Sequence, residues 1–125
     1  MELAKKLQIR AGNSVLILGA PDGYVDELQP LPAGVELAHR AKGHYDVVQL
    51  FVEKRADFDK RAPVAAKAVK PGGVLWIAWP KGGSGRATDF NRDTLNAAAS
   101  KLGLRAVSNV SIDETWSALR FKPAG

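Results

Sequence analysis

The stretch AVKPGGVLWIAWP, residues 68–80, joins the end of a helical pattern to the most hydrophobic run of the chain. From Phe58 the apolar positions Ala62, Ala65 and Val69 fall at helical spacing, KPGG then stops the helix, and VLWIAWP follows as an unbroken apolar segment of strand length. A strand without polar alternation is one covered on both faces, as in a parallel sheet. Two further runs read the same way: SVLILG (14–19), closed by Gly19, and YDVVQLFV (45–52). GVELAHR (34–40) offers a shorter, weaker strand.

Helical patterns separate these runs. LAKKLQI (3–9) places Leu3, Leu7 and Ile9 as a short amphipathic lead-in helix that AGNS breaks. DGYVDELQPL (22–31) predicts a short helix with Asp22 as its cap and Pro30 as its end. The helix around Phe58 has Asp57 or Asp59 as a candidate cap, and Pro63 is expected to kink or restart it. Asn91 can cap a helix through Leu95, Ala98, Ala99 and Leu102, with a Phe90–Leu95 staple and Gly103 as its stop. LRAVSNVSI (104–112) and WSALRF (116–121), joined by DET, alternate as an antiparallel hairpin does. Strands alternating with helices predict a doubly wound, three-layer α/β domain, with a mostly parallel sheet of about six strands that ends in that hairpin.

The 125 residues fit one domain, and 46% hydrophobic with 25% charged residues is ordinary globular composition. No apolar run approaches the roughly 18 residues of a membrane span. MELAKKLQIR lacks the apolar core and cleavage site of a signal peptide, so a cytoplasmic location is expected and no membrane partner. With no cysteine, disulfides, thiolate metal sites and cysteine nucleophiles are excluded. The net charge of +5 is scattered among thirteen carboxylates, and EKRADFDKR (53–61) is mixed in sign, so nucleic acid is not an expected partner. His39 and His44 have no evident third ligand, and no metal site is expected.

The order of these segments resembles the core of class I S-adenosylmethionine-dependent methyltransferases, a Rossmann-like fold. There a lead-in helix precedes a glycine-rich first strand, an acidic residue opens the fourth strand, a kPGG turn feeds the fifth, and the last two strands form a hairpin. The patterns LGAP.GY, D.V..FV, GG.LW...PK..SG...D and DE.WS.L.F are also similar to the bacterial family called domain of unknown function 3052. The first resemblance implies a cofactor site on a G-x-G-x-G loop, but here the loop is Gly19-Ala20-Pro21-Asp22-Gly23. Pro21 stands in place of the middle glycine, His39 and Arg40 end the second strand where the family has an acid for the ribose, and RAKGHYD leaves no room for a third strand. These departures predict a truncated methyltransferase-like scaffold that does not bind S-adenosylmethionine, transfers no methyl group and serves as a binding or interaction module. A homo-oligomer formed through a sheet edge or helix face is the expected assembly.

The alternative expectation is an enzyme or sensor for a small anionic or nucleotide-like ligand at the carboxyl ends of the strands, where open parallel sheets bind ligands. Gly19, Asp22 and Gly23 belong to this rim, as does PKGGSGR (80–86), in which Lys81, Gly82, Gly83, Ser84 and Arg86 can form an anion nest. Trp116 is placed there to stack on a ring. In the competing structural reading, Lys81 or Arg86 pairs with Asp113 or Glu114 and pins the hairpin to the sheet.

Overall fold

Side-chain alternation along the strands divides the apolar residues between two faces. In the computed structural model, which describes residues 3–123, strands β1 (Ser14–Leu18), β2 (Glu36–Ala38), β3 (Tyr45–Phe51), β4 (Val69–Pro80), β5 (Leu104–Ser111) and β6 (Trp116–Pro123) form one sheet in the order β2-β1-β3-β4-β6-β5. β2, β1, β3 and β4 are parallel, while β6 runs antiparallel to both β4 and β5. The sheet is therefore the expected mixed α/β sheet, and its order reverses at β1, which lies between β2 and β3.

Leu16, Val48, Leu50, Leu75, Ile77 and Leu119 point to one face, where helices α3 (Arg55–Ala68) and α4 (Arg92–Ser100) bury Phe58, Ala62, Ala65, Leu95 and Ala99. Val15, Ile17, Val47, Phe51, Trp76 and Ala118 point to the other, covered by α1 (Leu3–Lys6) and α2 (Tyr24–Leu28) through Ala4, Leu7, Tyr24 and Leu28. Trp76 is core, as the sequence suggests, and its Nε1 donates to the Leu7 carbonyl at 2.9 Å.

α4 is capped as expected: Asn91 Oδ1 accepts from Thr94 N at 2.9 Å, and Thr94 Oγ1 accepts from Asn91 N at 2.8 Å. α2 corrects the reading of Asp22. Its cap is Gly23, left-handed at φ 83°, with no side-chain hydrogen bond, because the Pro21 carbonyl accepts from Tyr24 N at 3.2 Å in a turn whose third residue needs positive φ. α3 starts at Arg55 and runs through Pro63 without interruption. At KPGG the pairing steps from Tyr45↔Val69 to Val47↔Val74, and Gly73 passes so close that a Cβ there would fall 2.9 Å from the Asp46 carbonyl oxygen. No described helix is long and apolar enough to cross a membrane.

Candidate functional site

β2 pairs with β1 only from Ser14 to Leu16, whereas β3 follows β1 up to Leu18. The β1–α2 loop therefore emerges beside a short neighbour on one side and a long one on the other, and a depression opens on each side of it. The first, about 360 Å³, is lined toward β2 by Ile17, Gly19, Tyr24, Val25, Asp26 and His39. The second, about 420 Å³, is lined toward β3 by Gly19, Asp22, Glu53, Arg86 and Trp116. Gly19, Ala20 and Pro21 border both, so the loop is the ridge between them.

Gly19, just past β1, lies close against the end of β3. At φ 71°, a Cβ would lie 2.8 Å from the Phe51 carbonyl oxygen and 2.9 Å from Arg61 Nη1. Gly23 is also left-handed but faces open space, so its conformation and not its surroundings calls for glycine.

Glu53, just past β3, organises the second depression. Its carbonyl accepts from Asp89 N at 2.9 Å and from Thr88 Oγ1 at 3.0 Å, and its carboxylate accepts from Arg86 Nε at 3.0 Å. The Arg86 guanidinium also lies 5.2 Å from the centre of the Trp116 ring. Behind it, Trp116 meets Phe51 edge-on at 5.1 Å, and Phe51 meets Tyr24 at 4.7 Å. The Tyr24 hydroxyl donates to Gln49 Oε1, while Gln49 Nε2 is buried without a partner. Burial, with the nearby charges of Glu27 and Asp113, pushes the Tyr24 phenol above its ordinary range and keeps it neutral.

The expected rim residues thus separate into two groups. Gly19, Asp22, Gly23, Arg86 and Trp116 border the depressions, whereas Lys81, Gly82, Gly83 and Ser84 line neither. Lys81 Nζ donates to the Asp113 carbonyl at 2.6 Å and to Ser111 Oγ at 2.6 Å, and its backbone N–H donates to Thr115 O at 2.7 Å. It ties down the hairpin turn through a main-chain carbonyl, and not through the carboxylate that the structural reading expects. Arg86 pairs with Glu53 and with neither Asp113 nor Glu114. Asp113 Oδ1 instead accepts the backbone N–H groups of Thr115 and Trp116 at 2.8 and 2.7 Å. The face of Trp116 expected to stack on a ligand carries Arg86, and Trp79 is buried on the opposite side of the sheet. The sequence places Glu53 at this rim, directly after a strong strand, but does not reveal its bonds to Arg86, Thr88 and Asp89. Asp26 was missed as a rim residue, and the helical register of α2 was the available signal.

No family model matches the chain, and no curated protein matches it. Solved structures match it closely in fold. DhpI in complex with SAH superposes with a TM-score of 0.66 at 18% identity, covering 97% of this chain and 81% of that one. A SAM-dependent methyltransferase from Thiobacillus denitrificans in complex with S-adenosyl-L-homocysteine gives 0.61 at 14% identity, covering 97% and 90%. The ribosomal protein L11 methylase from Lactobacillus delbrueckii subsp. bulgaricus gives 0.65 at 8% identity, covering 98% and 75%. The fold is thus that of class I methyltransferases.

These neighbours correct two expectations. A scaffold acting only as a binding module without methyl transfer, and a rim that excludes S-adenosylmethionine, conflict with a fold shared by chains solved with SAM or its product. Pro21 borders both depressions.

Proposed function

We propose that the carboxyl rim binds S-adenosylmethionine and presents its methyl group to an acceptor, making this chain an S-adenosylmethionine-dependent methyltransferase. The observation that carries this reading is the pair of adjoining depressions on the Gly19–Gly23 loop, at the point where the strand order reverses between β1 and β3. Their linings suit the two halves of such a cofactor. Toward β2, Ile17 and Val25 offer apolar walls for a nucleoside base, and the exposed Asp26 carboxylate takes the ribose role of the acid that β2 lacks. Toward β3, Asp22 and Glu53 suit an ammonium and Arg86 a carboxylate.

When bound, the cofactor supplies a methyl group made electrophilic by its sulfonium. The chain supplies position. The Glu53–Arg86 pair fixes the guanidinium at the edge of the second depression, and the edge-on contacts of Trp116, Phe51 and Tyr24 back that side. Membership of the domain of unknown function 3052 family and a cytoplasmic location are parts of the same proposal.

Calorimetric titration with S-adenosylmethionine and S-adenosylhomocysteine tests the reading. Saturable binding is expected, weakened about tenfold by Asp26→Asn, which removes one charged hydrogen-bond acceptor from an exposed position. Absence of saturable heat with both ligands would remove the proposal.

A further inference from the structure

A second polar hollow, about 290 Å³, lies at the opposite, amino-terminal ends of the strands. The segment leading into β1 contributes Gln8, Arg10 and Asn13, the start of β4 contributes Lys70, and β6 contributes Arg120. Against these three cations stands Asp46, whose carboxylate is already engaged. Oδ2 accepts from Ser14 N at 2.8 Å and Ser14 Oγ at 3.2 Å, and Oδ1 accepts from Lys70 Nζ at 3.1 Å. Those bonds, led by the Ser14 backbone N–H and then Lys70, hold the Asp46 carboxyl below its ordinary range.

Among the described residues, neither Arg10 nor Arg120 makes an ion pair. Arg120 Nη1 donates to Gln8 Oε1 at 3.1 Å, but its Nε is buried and has no acceptor. A guanidinium offers five donors in a fixed fork suited to an oxyanion.

We propose that this hollow binds a phosphate group carried by a small molecule. A phosphate has the charge to match the surplus cations. Its several oxygens can accept from Arg120, Arg10 and Lys70 together, which a planar carboxylate with two oxygens does less well. The volume sits near the lower limit of small-molecule sites, about 300 Å³. The hollow is separate from the carboxyl rim, so the proposal stands independently of the methyltransferase reading.

Titration of the full chain with inorganic phosphate and pyrophosphate at low ionic strength tests it. Saturable binding of one equivalent of pyrophosphate is expected, weakened about tenfold or more by Arg120→Gln and by Arg10→Gln, and unchanged by Lys81→Gln at the far rim. Arg10 is exposed, so its variant carries the test even if Arg120→Gln disturbs β6. Absence of saturable binding with both anions, or undiminished binding in Arg10→Gln, overturns the proposal. Tighter binding of a duplex oligonucleotide than of pyrophosphate overturns the small-molecule assignment.

Discussion

Gly19 is constrained twice, by a left-handed φ of 71° and by the Phe51 carbonyl that a Cβ would meet at 2.8 Å. The first constraint alone costs a non-glycine residue about 1–2 kcal/mol, and the second requires main chain to move. Gly19→Ala is therefore expected to lower unfolding stability by about 2–4 kcal/mol, read from the urea midpoint. Gly82→Ala, at an ordinary φ with nothing within 4 Å, should stay within about 0.5 kcal/mol. Tyr24→Phe leaves Gln49 without its hydrogen-bond donor inside the core and should cost about 1–3 kcal/mol by the same measurement. At the Glu27–Asp113 contact, burial, then the hydrogen bond and charge of Asp113, push the Glu27 carboxyl up to about 7. Burial opposes ionisation of Asp113 too, yet the hydrogen bond from Glu27, the N–H groups of Trp116 and Thr115, and Lys81 hold it below its ordinary range. With its folded value above its ordinary 4.5, Glu27 stabilises most fully below 4.5, and that contribution is lost as pH rises toward about 7. Asp113 acts in the opposite sense at the acid end. A melting-temperature profile should fall across the Glu27 window, and Glu27→Gln should flatten that fall.

Among the elements, α4 was the most legible, because its signals are local. Asn91 and Thr94 exchange hydrogen bonds within one turn, and Phe90 and Leu95 are both buried. Asn91→Ala should destabilise by about 1 kcal/mol in the same unfolding assay, an effect expected of a lost cap. β1, β3, β4 and the closing hairpin were legible because their apolar runs and alternation are also short-range. α2 was misread at its first turn, where Gly23 adopts the conformation that frees Asp22 from capping. The helix does not restart at Pro63: α3 continues through it with Phe58, Ala62 and Ala65 packed on the sheet. The rim pairings were not legible. Glu53, Asp113 and Glu114 all stand near the same end of the sheet, and which one Arg86 reaches depends on the path of the 81–91 loop, fixed by Thr88 and Asp89 bonding to the Glu53 carbonyl.

At the scale of the molecule, a ligand that binds only the folded chain must raise its stability. S-adenosylmethionine at about a hundred times its dissociation constant should add about 2.7 kcal/mol, seen as a higher melting temperature. Asp26→Asn should melt like the parent chain without ligand and show a smaller rise with it. This separates a binding defect from a folding defect.

β2 stops opposite Leu16, so beyond that point the flank of β1 facing the first depression has no paired strand among the described residues. That wall is built in part from peptide groups, which keep the same polarity whatever side chains they carry. Selection can therefore rewrite the side chains along this flank while the main-chain surface remains. Recognition written in backbone leaves little trace in a sequence.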